Sequence, residues 1–135
     1  MPYITRADLI KKPGKELLEQ LTDRDGLGKI DDGVLNDAIT EAGVEIDAYL
    51  KGRYAVPLSP VPDIIKNKAR DLVVYHLYIH EPPDQTAKRY NDAIKFLREV
   101  RDGDIDLGVD DPAPAQDGFN MKSSVVSTRI DYERY

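Results

Sequence analysis

Residues 49–62, Tyr-Leu-Lys-Gly-Arg-Tyr-Ala-Val-Pro-Leu-Ser-Pro-Val-Pro, constrain this chain more than any other stretch. Pro57, Pro60 and Pro62 each hold φ at about −65° and remove a backbone donor, so no helix runs through them. Apolar residues recur at helical spacing on both sides. The stretch therefore reads as a stiff strap that joins two helices and fixes the angle between them.

The helix before the strap starts at Asp31 or Asp32, either of which can cap free amides, and runs to about Lys51. Leu35, Ile39, Ala42, Ile46 and Leu50 form its apolar stripe, while Asp37, Glu41, Glu45 and Asp47 make an acidic outer face expected to be solvated. After the strap, Asp63–His80 repeats the period with Ile65, Ala69, Leu72, His76 and Ile79. Val73, Tyr75 and Leu77 lie off that stripe, which predicts a central helix buried on more than one side. Pro82-Pro83 breaks the pattern, and a third long helix is expected from about Gln85 to Arg101 with Ala87, Tyr90, Ile94 and Leu97 inward. Two short helices precede these: one after Thr5, stopping before Pro13-Gly14, and one from Lys15 to Leu21 with Leu17, Leu18 and Leu21 as its apolar edge. The fold class is mainly α, a bundle of about three long and two short helices over residues 1–102. Beyond Gly103 the Asp- and Pro-rich sequence cannot bury much apolar surface, so residues 103–135 read as an extended, partly disordered C-terminal arm. Its last residues, Ser123–Tyr135, regain strand propensity through Val125, Val126, Ile130, Tyr132 and Tyr135, as a segment does that orders against a neighbour.

At 135 residues the chain is about one domain in size. It has no cysteine, which excludes disulfides and thiolate metal sites and suits the cytosol or the inside of a particle. No signal peptide or membrane-spanning run is read in it. The net charge of −6 is unevenly spread. Lys and Arg number 2 against 8 Asp and Glu over residues 21–50, 10 against 6 over 51–101, and 3 against 8 over 102–135. A basic middle between acidic flanks favours docking between copies or onto a partner, and disfavours sequence-specific nucleic-acid binding. The alternative is a set of solvated charges that confer solubility.

Two stretches have residue types that could carry chemistry. Asp23-Arg-Asp-Gly-Leu-Gly-Lys-Ile-Asp-Asp resembles a calcium loop, with Asp23 and Asp25 as first and third ligands. Leu27 then falls at the fifth position and Val34 at the bidentate one, so a glycine turn capping the next helix is the better reading. His76 and His80 are four apart, but Leu77 stands where a zinc protease needs glutamate, and His76 on the stripe reads as a core histidine bonded to backbone. No activated nucleophile and no phosphate-binding glycine loop is present, so neither an enzyme nor a cofactor is expected. Arg53, Tyr54 and Pro57 in the strap, with Tyr132 and Tyr135 in the arm, are the candidate interface anchors. Alternatively, Tyr54 covers the core edge and Arg53 closes the negative end of the preceding helix.

Several of these residues also carry a resemblance. Leu21-Thr-Asp, Ile30-Asp31, Ala38-Ile39, Ala42, Ile46-Asp-Ala-Tyr-Leu50, Arg53-Tyr54 and Pro57-Leu58, then Asp71-Leu-Val-Val-Tyr-His-Leu-Tyr and Arg89-Tyr90-Asn-Asp-Ala-Ile94, resemble the small structural proteins of Mu-like phages and prophages. The likeness spans roughly residues 3–108. That family is similar to the head-to-tail connector, or adaptor, proteins of long-tailed phages. The resemblance implies self-association into a ring of about a dozen copies, docking beneath the portal protein, contact with other neck or tail-completion proteins, and passage of DNA without sequence-specific binding. It implies a place in the virion neck, reached from the host cytoplasm during assembly. An acidic helical interaction module or a calcium-dependent protein are the alternatives.

Overall fold

The computed structural model describes residues 2–108 and is mainly α. Helices α1 (Arg6–Leu9) and α2 (Lys15–Thr22) precede three long ones, α3 (Asp32–Leu50), α4 (Asp63–Leu77) and α5 (Asp84–Arg101). Thr5 caps α1: its hydroxyl accepts the Asp8 N–H at 3.2 Å, and the Asp8 carboxylate accepts the Thr5 N–H at 3.2 Å. That return bond, helped by the Thr5 hydroxyl and Lys66, holds the Asp8 carboxyl below the usual carboxylate range. A wide turn at Ile10–Gly14 separates α1 from α2, with Lys12 extended and Gly14 at φ 118°, a conformation that glycine tolerates and L side chains resist. Of the two aspartates that could start α3, Asp31 is the cap, accepting from the N–H groups of Gly33 and Val34 at 3.0 and 3.2 Å.

Side-chain contacts give the directions of the long helices. Tyr75 meets Tyr90 and Lys68 lies over Phe96, so α4 and α5 run antiparallel. Glu45 meets Tyr90 and Arg101 lies over Tyr49, so α3 and α5 run parallel to each other, and α4 packs antiparallel to α5 against both. As expected, α4 is central: Ile65, Ala69, Leu72, Val73 and Leu77 are all buried. The predicted stripe of α3 is buried too, joined by Ala38. From α5, Ile94 and Leu97 face the core with Ala93 and Val100, while Ala87 and Tyr90 sit half-buried at its edge. Leu9 and Leu18 close the core from the short helices. Each such aliphatic side chain contributes about 1.5–3 kcal/mol on full burial.

One boundary needs correcting. Helix α4 stops at Leu77 and not at His80, and Tyr78 is already extended. Ile79, expected on the buried stripe, is 64% exposed. No breaker stands at Leu77. The chain needs several non-helical residues there to reverse into antiparallel α5, and these are the residues before Pro82-Pro83.

Candidate functional site

The strap is fastened at both ends to distant parts of the chain. Arg53 donates one guanidinium nitrogen to the carbonyls of Val100 at 2.6 Å and Ile105 at 2.9 Å. It thus satisfies the C-terminal turn of α5, and not that of α3, which is one of the two sequence readings of Arg53. Tyr54 is buried, its hydroxyl accepting from Leu107 N–H at 3.2 Å and reaching the Asp106 carboxylate at 3.4 Å. Asp104 and Ile105 N–H groups both return to Glu99 O. Residues 103–108, read as the start of an extended arm, therefore lie clipped against the strap, with Ile105 and Leu107 half-buried on the core. At the other end, Leu58 N–H donates to the Tyr3 hydroxyl at 3.0 Å, and that hydroxyl donates to Asp47. Burial and the Asp47 hydrogen bond push the Tyr3 phenol well above its ordinary range. Pro57 itself is exposed, and both its bond to Val56 and the following Ser59–Pro60 bond are cis.

The acidic face of α3 is not uniformly solvated. Asp37 and Glu41 are exposed, but Asp47 receives Tyr3 and Glu45 turns inward. Glu45 Oε1 lies 2.5 Å from His76 Nε2, and Oε2 accepts from the Tyr90 hydroxyl at 2.9 Å. Tyr75 stacks on Tyr90 with centroids 3.9 Å apart. Burial, with the Glu45 hydrogen bond second, pushes the Tyr90 phenol up to about 12. The partner of His76 is thus a carboxylate and not backbone, and the group ties all three long helices together. His80 lies beyond the end of α4, exposed and off its helical face. Among the described residues no three His, Asp or Glu side chains converge as a metal site.

Asp23 closes the loop before α3 by accepting from the N–H groups of Leu27 at 2.8 Å and Gly28 at 2.6 Å. Those bonds hold its carboxyl below the usual range, and Gly26 and Gly28 supply positive φ at 73° and 76°. Thr22, fully buried, accepts the Asp31 N–H at 2.9 Å and donates to Leu18 O at 2.7 Å, fixing the loop's base. Leu27 at its tip is 67% exposed.

Between the α1–α2 turn, α4 and α5 lies an open cleft of about 640 Å³. Lys12, Lys68, Arg70 and Arg89 line it against Asp71 and Asp92, with Leu17 and Val74 as apolar wall. Arg70 joins its sides by donating to Lys12 O at 2.9 Å. Burial pushes the Asp71 carboxyl up, opposed by Lys68, Arg89, Arg70 and Lys12. Sequence reasoning gave the basic excess of this region but not the cleft, because its walls come from three separate elements. Of the five candidate interface residues, Arg53 and Tyr54 are engaged within the chain, Pro57 is on the surface beside them, and Tyr132 and Tyr135 lie outside the described residues.

Comparison with known proteins matches the same stretch of chain. The chain is 32% identical over 125 residues to the Mu-like prophage FluMu protein gp36 of Haemophilus influenzae, covering 90% of this chain and 89% of that protein. It is 33% identical over 111 residues to gene product J of Escherichia phage Mu, covering 82% and 79%. The model of the family described as Bacteriophage Mu, Gp36 matches residues 3–124. With its capped helices, strap and clipped exit all inside that match, the chain belongs to the bacteriophage Mu Gp36 family.

Proposed function

We propose that this protein is a head-to-tail connector of a Mu-like phage, a structural and not a catalytic component that docks on the portal and extends the DNA channel. The observation that carries this reading is the exit of the chain from the bundle. Arg53 and Tyr54 hold residues 103–108 at one place on a rigid helical body, and the family match continues past that point to residue 124. A body with an anchored outgoing segment suits a protein that sits between two larger assemblies and reaches into one of them. Exposed Asp37 and Glu41 on α3 would repel DNA phosphates if that face lines the channel, letting the duplex slide. The portal and neck or tail-completion proteins are the partners, copies of the chain form a ring, and the virion neck is its place after assembly in the host cytoplasm.

Electron microscopy of particles from an induced prophage lacking this gene, against the complemented strain, tests the proposal. DNA-filled heads without tails, or heads that leak DNA, are expected. Normal infectious virions would overturn it and leave an accessory binding module.

A further inference from the structure

If the protein works as a connector ring, copies of it bind one another, and two features of opposite character stand unmatched among the described residues of one copy. One is the cleft beside α4, whose lining holds four cationic side chains against two carboxylates, Asp92 being paired with Lys88 at 3.0 Å. The other is the Asp23–Asp32 loop, where Asp23, Asp25, Asp31 and Asp32 surround Leu27 and Lys29. Arg6 neutralises Asp32 at 2.8 Å, and Arg24 turns back toward Leu77 O, which leaves Asp25 beside the exposed leucine as the forward charge.

We propose that the Asp23–Asp32 loop of one copy docks in the α2–α4–α5 cleft of the next, with Leu27 against Leu17 and Val74 and Asp25 among the cleft's cations. The fit is of charge and of polarity: a local acidic excess with an apolar tip meets a local basic excess with an apolar wall. The loop is already shaped for this, since Asp23 and Thr22 hold it from within, and docking therefore costs little ordering entropy. Asp71 and Asp92 are the like charges in the cleft; Lys88 pairs with Asp92, and the burial of Asp71 already disfavours its ionisation. Loop and cleft are different patches, so the contact is heterologous: every copy offers one of each, and association runs on until the rotation closes a ring.

The test is sedimentation velocity of the purified full chain at low salt, with Leu27→Asp as a loop variant and Arg89→Glu and Lys12→Glu as cleft variants. All three positions are exposed, and circular dichroism should show unchanged helicity. Wild type is expected to form oligomers that weaken with added salt. Each variant alone should associate about tenfold or more weakly. An equimolar mixture of the loop variant with a cleft variant should stop at dimers, because only one competent loop and one competent cleft remain per pair. Wild type that stays monomeric, or variants that associate like wild type, would overturn the contact. So would a chain truncated after Gly108 that loses association while Leu27→Asp keeps it, which would make the C-terminal segment the occupant. A gene-deletion strain with tailless heads that Leu27→Asp complements fully would reject this contact and leave the connector reading standing.

Discussion

Tyr3 shows how much one hydroxyl can fix. It donates to Asp47 on α3 and accepts from Leu58 in the strap, so one phenol ties the N-terminal segment to both. Tyr3→Phe keeps the ring but leaves a carboxylate and a buried N–H unpartnered, and should cost about 1–3 kcal/mol in urea unfolding. The raised phenol adds a pH signature. Its contribution is fully present below the ordinary tyrosine value of about 10 and is lost as pH rises through the folded-state value, so wild-type stability should fall above pH ~10. Tyr3→Phe should lack that component of the fall. Asp71 works in the opposite sense: burial raises its carboxyl, so folding opposes its charge. Asp71→Asn should raise the midpoint of thermal unfolding at pH 7, and the gain should vanish below the ordinary carboxylate range, where both side chains are neutral.

Among the elements, the strap and the exit segment depend on one arginine. Arg53→Ala removes both bonds that hold Val100 O and Ile105 O, so amide exchange at Ile105–Gly108 should speed up while α3 and α4 stay protected. Faster exchange throughout the bundle would show instead that Arg53 supports the whole fold. The helices themselves were legible because their signals are local: Thr5 and Asp31 cap, the prolines break, and Leu35 to Leu50 keep one period. The end of α4 was not, because it answers to the direction of α5 and not to any residue near Leu77. Glu45 and Asp47 read as solvent-facing on a helical wheel, yet partners from other helices and from the N-terminal segment draw them in. A single helix's period cannot report what packs across it. The same limit hid the cleft, although the lysines and arginines around it were plain in the sequence.

For the whole molecule, the uneven charge is a division of surfaces: an acidic loop and helix face on one side of the account, a basic cleft on the other. The connector reading also gives Tyr132 and Tyr135 a task. Replacing both by serine should weaken docking to portal-bearing particles in a pull-down while leaving helicity unchanged, and undiminished docking would remove that task. The clip at residues 103–108 has a mechanical meaning as well. Arg53 grips the chain on both sides of the α5 terminus, so a pull on anything beyond Gly108 does not simply unwind the last turn of α5. The load passes through the guanidinium into the strap, at the joint between α3 and α4. On the connector reading, a tug from outside would be shared among three helices, and the molecule would act as a tether as well as a spacer.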